Sequence, residues 1–88
     1  MASTNRLLLH ALLNGLDNAV HRNDDAAADR YHTRIRLIAR HFETNASIND
    51  ALERLLSSSG RWLATRTAER YEAGQHVLKH VERVTELL

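Results

Sequence analysis

The chain has no cysteine and no proline, only three glycines, and one Trp, two Tyr and one Phe in 88 residues. Each shortage closes off a class of protein. Without cysteine there is no disulfide framework, no thiolate metal site and no thiol nucleophile. Without proline, and with glycine confined to positions 15, 60 and 74, little interrupts a helix, since proline costs about 3 kcal/mol and glycine about 1 kcal/mol in a helix interior. So few aromatic rings leave no platform on which successive bases could stack.

Charge of one sign is also missing. Twelve basic and eleven acidic residues give a formal net charge of +1, so the overall field is weak and the usual footprint of a nucleic-acid-binding protein is absent. The leucine run from Leu7 to Leu13 is broken by His10, no small-residue cleavage site follows it, and nothing approaches the roughly 18 apolar residues of a membrane span. A cytoplasmic protein is therefore expected. There is no nucleophile elbow, no glycine-rich phosphate loop and no recognisable acid and base pair, so neither an enzyme nor a cofactor is expected.

What is present is helical periodicity. Leu9, Leu12, Leu13, Leu16 and Val20 point one way when residues are wound at 100° each, and Ala27, Ala28, Tyr31, Ile35, Ile38 and Phe42 form a second stripe. Leu8, Gly15 and Ala19 make a smaller strip beside the first, where Gly15 invites close approach by another helix. Asn23 is read as the cap of the second helix, with Asp24 and Asp25 favourable to its dipole. Ser47 and Asp50 supply an S-x-x-D start before Ile48, Leu52, Leu55 and Leu56. Serines 57 to 59 and Gly60 weaken the helix that follows, yet the phase of Leu52 continues through Leu63 to Val81.

These patterns predict an all-α single domain over residues 1–88. An antiparallel hairpin of two helices, about 4–22 and 24–43, is followed by a long C-terminal helix, about 48–88, unless residues 57–60 kink or break it. A chain this short buries only about 60–65% of its unfolded surface, so self-association, most simply a homodimer, is expected to complete a marginal core.

Three constellations bear on function. The C-terminal stripe, with Arg70, Tyr71, Gly74, Val77, Leu78, Val81, Val84 and Leu88 on it, has the narrow Val and Leu face of a helix-helix seam and is the candidate surface for a protein partner or a second copy. Arg70 points into that face, where a partner carboxylate would meet it. Arg36, Arg40 and Arg61 are candidates for a helical DNA-binding regulator, although Asp25 and Asp29 share the outer face of Arg36. Glu72, His76 and His80, spaced by four, are candidates for a metal-binding strip, without the glutamate that sits between the histidines of H-E-x-x-H zinc proteases.

Two resemblances follow from these residues. "HVLK" at His76 to Lys79 resembles the first part of the H-x-L-K-G motif of histidine phosphotransfer domains, with His80 where the glycine belongs. The layout of a hairpin plus a longer amphipathic helix is similar to small helical chaperones of bacterial flagellar and type III export systems. That likeness implies a non-enzymatic adaptor, chaperone or regulatory subunit acting through an apolar helix face.

Overall fold

Four helices and one 3₁₀ turn follow one another, with no strand among the described residues. They are α1 (Ser3–His21), α2 (Asp25–Ile38), the 3₁₀ turn (Ala39–Phe42), α3 (Ala46–Ala64) and α4 (Arg70–Leu87). The computed structural model describes residues 3–88, and of Ser3 the backbone alone. Each helix packs against its chain neighbour and α4 closes back on α1, the arrangement of an up-down-up-down bundle. Arg6 Nη1 donates to the Leu88 carbonyl at 3.0 Å, which fixes the start of α1 beside the end of α4.

The caps fall one or two residues away from their expected places. Asn23 adopts a left-handed conformation, φ 55°, which asparagine tolerates better than most residues. It turns the chain, and the extended Asp24 becomes the cap, its Oδ1 accepting from the Ala27 amide at 3.1 Å. In the same way Asn45 caps α3, accepting from the Ile48 amide at 3.1 Å. Ser47 and Asp50 lie inside the first turns of α3.

The single helix expected over 48–88 is two antiparallel helices, and the break lies at 65–69, not at 57–60. A helix from Ile48 to Leu88 would span about 60 Å at 1.5 Å per residue, whereas the longest dimension of the molecule is 42 Å. Ser57 to Gly60 stay helical because packing satisfies the residue most prone to leave. Ser59 is fully buried, its hydroxyl donates to the Leu56 carbonyl at 3.3 Å, and His32 Nδ1 lies 2.5 Å from the same oxygen. With that hydroxyl proton on Leu56, Nδ1 of His32 is the donor, which leaves Nε2 as the site that takes up a proton.

The chain turns instead at Thr65, which is extended (φ −90°, ψ 126°). Its hydroxyl donates to the Arg61 carbonyl at 2.7 Å, and the Thr67 hydroxyl donates to the Glu69 carboxylate. Short hydroxyl side chains that bond locally offer the backbone an alternative to helix.

The stripes of the first two helices and of Ile48, Leu52 and Leu55 form the core as expected, with Tyr31 at its edge. The Tyr31 ring lies flat over Gly15, so closely that a Cβ there would overlap it. In α4 the expected stripe is kept from Gly74 onward: Gly74, Val77, Val81 and Val84 are buried together with Ala73, while Tyr71 of that stripe is exposed.

Candidate interaction surface

The two ends of the bundle are built differently. At one end the turn between α1 and α2 meets the linker between α3 and α4, and Arg70 holds them together. Its guanidinium stacks on the buried Trp62 ring, 3.8 Å from the centroid, a cation–π contact. Nη1 donates to the Trp62 and Thr65 carbonyls at 3.1 and 2.8 Å; the first also accepts from the Thr65 amide at 3.2 Å, and the second lies past the end of α3 without a helical partner. Nε donates to Asn23 Oδ1 at 2.8 Å, and Nη2 pairs with the Asp25 carboxylate, as does Arg66. The Arg66 hydrogen bond, with the charges of Arg70 and Arg66 behind it, holds the Asp25 carboxyl below its usual range against the opposing effect of burial. The carboxylate expected to meet Arg70 from a partner is thus supplied by the same chain. Beside this latch lies an open cleft of about 440 Å³ lined by Val20, Trp62, Arg70, Tyr71, Gly74 and Leu78, among others.

The candidate partner residues divide accordingly. Val77, Val81 and Val84 are buried in the chain's own core, Gly74 is buried against Trp62 and Val20, and Arg70 is committed to the latch. The valines thus meet helices of their own molecule, and Arg70 and Gly74 line the open cleft beside the latch. Tyr71 is 77% exposed, and Leu78 and Leu88 are half-buried.

The arginines proposed for DNA do not form one patch. Arg36 and Arg40 are exposed near the end of α2, whereas Arg61 sits in the last turns of α3 near Glu69. Arg40 lies near the start of α3 and so roughly 20 Å along the bundle from Arg61 at 1.5 Å per residue, whereas Arg36, one turn from the His32 that reaches Ser59, lies nearer to it. Glu69 is held below its usual range by the Thr67 hydroxyl and its own backbone amide, with a smaller contribution from Arg61.

The Glu72, His76 and His80 strip gains no further ligand. Among the described residues no group of three His, Asp or Glu side chains is arranged to hold a metal ion. His80 is half-buried, and burial, followed by the charges of His76, Lys79 and Arg54, pushes its pKa down. That positive surrounding disfavours a cation. The His32 and Ser59 pair resembles part of a nucleophilic dyad, but the hydroxyl is fully buried and hydrogen-bonded to backbone, so it ties α2 to α3.

The opposite end of the bundle carries a surface that the sequence pattern did not single out. A groove of about 470 Å³ runs between the first half of α1 and the end of α2. Leu12 and Ile38, nearly buried, form its floor, and Leu8 and Leu37 stand 49% and 60% exposed along its walls. Leu7, 69% exposed on the outward side of α1, lies outside the groove lining. Arg34, Arg40 and His41 rim the groove, Asn5 closes one end, and no carboxylate lines it. Leu37 falls on the polar side of its helix, between Arg36 and Ile38, and Leu7 is likewise out of phase with the core stripe. An out-of-phase leucine on α2, Leu37, facing the Leu8 strip of α1 is the signal that would have located the groove.

No protein-family model, curated protein or solved structure matches the chain, so the functional reading rests on its own geometry. Among the described residues no helix is long and apolar enough to cross a membrane.

Proposed function

We propose that the chain is a non-enzymatic protein-interaction module, a small adaptor, chaperone or regulatory subunit, and that it docks its partner in the groove between α1 and α2. The observation that supports this is the one place where large apolar side chains stay uncovered in a cluster. Leu7, Leu8 and Leu37 account for three of the four largely exposed large hydrophobic residues among those described. Leu8 and Leu37 of these frame a concave site in a bundle whose own core is closed. Scattered exposed leucines carry little meaning, whereas a clustered and rimmed set marks an interaction site. At the other end Asn23, Asp25, Arg66 and Arg70 already have partners within the chain. The apolar helix face expected from sequence is therefore kept as the mode of action and moved from α4 to the hairpin.

The test is a paired capture experiment with purified full-length protein carrying a photo-reactive residue at position 37 or at position 75. A partner that crosslinks from 37 and not from 75, binds the purified protein directly, and is lost in Leu8→Ser/Leu37→Ser supports the reading. A partner insensitive to those changes but lost in Tyr71→Ser would return the docking site to α4.

A further inference from the structure

The rim of the groove carries information about what fills it. Residues 3–16, the α1 side, contain no Asp or Glu, and residues 30–42, the α2 side and 3₁₀ turn, contain none either. The second stretch holds Arg30, Arg34, Arg36 and Arg40 together with His32 and His41. The two stretches of α1 and α2 that form the groove thus carry basic groups and no carboxylate. Within the two hairpin helices the acidic groups Asp17, Asp24, Asp25 and Asp29 lie toward the latch end, where Asp25 is neutralised by Arg66 and Arg70, and Glu43, which follows the 3₁₀ turn at the groove end, is not among the groove's lining residues. Arg34, Arg40 and His41 are different: they lie around apolar walls, and none of the three has an acidic partner within ion-pairing distance among the described residues.

On the reading that this groove is the docking site, we infer that its occupant is an amphipathic helix with a leucine-type apolar stripe and an acidic polar face. The stripe seats on Leu8, Leu12, Leu37 and Ile38, and the flanking carboxylates meet Arg34, Arg40 and His41. The lining from Asn5 to Leu12 covers about 10 Å of α1 at 1.5 Å per residue, the length of two helical turns of a partner presenting anchors at i, i+3 or i+4, and i+7. Charge complementarity separates this occupant from its rivals. A second copy docking the same face by a two-fold axis would bring Arg34, Arg40 and His41 against their own images. A lipid surface is matched by a protruding apolar helix face, whereas this site is concave and its floor is already sealed.

The test uses the full chain, labelled with ¹⁵N, titrated with three synthetic helical peptides of about 14 residues sharing one leucine stripe. Their polar faces carry Glu, Gln or Lys. The Glu peptide is expected to shift the amides around Leu8, Leu12, Leu37 and Ile38, and to bind about tenfold or more tighter than the Gln peptide, with an advantage that shrinks as salt rises. Arg34→Glu/Arg40→Glu, both exposed positions, is expected to transfer the preference to the Lys peptide. Equal binding of all three peptides in the groove would overturn the acidic helix and leave the docking groove standing. No groove shift with any peptide would overturn the docking groove itself. Comparable shifts with phosphatidylserine vesicles but not with peptides would replace the helix by a lipid surface. A dimer in sedimentation that Leu37→Ser dissociates would replace it by a second copy.

Discussion

Arginine sits at both ends of the bundle and does opposite things. Arg70 at the latch end is largely buried, stacked on Trp62, and hydrogen-bonded to two turns and a carboxylate. Arg34 and Arg40 at the groove end are exposed beside uncovered leucines. An arginine whose donors are used within the chain defines the fold, and one whose donors face outward next to apolar surface is available to a partner. The same contrast holds for glycine. Gly15 and Gly74 admit the rings of Tyr31 and Trp62, whereas a side chain at Gly60 would make only an ordinary contact with His32.

The largest break in this contrast comes at Trp62, the largest fully packed side chain, on which Arg70 and the α4 notch at Gly74 both rest. Trp62→Ala is expected to lower unfolding free energy by about 3–5 kcal/mol, enough to unfold a marginal domain, as followed by urea titration. Arg70→Ala is next, at about 2–3 kcal/mol, because it removes the stacking and the ion pair, takes one of two donors from the Trp62 carbonyl and leaves the Thr65 carbonyl without a donor. Arg70→Lys should recover little of it, since an ammonium lacks the fork.

Gly15→Ala follows. The gain in helix propensity, about 1 kcal/mol, is outweighed by displacement of the Tyr31 ring, leaving a net loss of about 1 kcal/mol. A stabilised Gly15→Ala variant would mean that α1 and α2 are not in close approach there. Gly60→Ala, by contrast, should be neutral or slightly stabilising.

The smallest effect is the pH response of the bundle, and its sign can be worked out. Burial, then the Arg36 charge, pushes the His32 pKa down, with Asp29 opposing, so the unfolded chain binds this proton more readily than the folded one. His32 therefore contributes stability above the ordinary histidine value of about 6.5 that is lost as pH falls through it. His80 acts in the same direction. The urea midpoint should drop between pH 7.5 and pH 5.5, and drop less in His32→Gln. Asp25 works at lower pH: its carboxyl is held down mainly by Arg66, so its contribution is present above the ordinary carboxylate value of about 3.9 and disappears below it. Asp25→Asn should remove that second, acid step.

Much of the fold was legible in the chain, because the stripes Leu9 to Val20 and Ala27 to Phe42 follow a helical period and bury as one face each. The α3–α4 break was not, because Ser57 to Gly60 look weaker than Thr65 to Glu69 on propensity alone. Which weakness yields was decided by tertiary contacts, with His32 holding Ser59 in place and Arg70 capping the carbonyls after Trp62. That displacement also hid the site. Wound as one helix, α4 appeared to present its valines to a partner; folded back on α3, it buries them. The uncovered leucines lie on the hairpin, where periodicity gives core positions and is silent about residues outside the stripe.

The claim that one end of the bundle is closed by its own chain and the other left open for a partner meets its most direct test in Leu8→Ser/Leu37→Ser, measured for unfolding free energy and for binding of the acidic leucine-stripe peptide in the same buffer. Both side chains are half or more exposed, so stability is expected to stay within about 0.5 kcal/mol of the parent while binding is lost. A loss of several kcal/mol with binding retained would contradict the account, because it would make the groove part of the core and place the partner elsewhere.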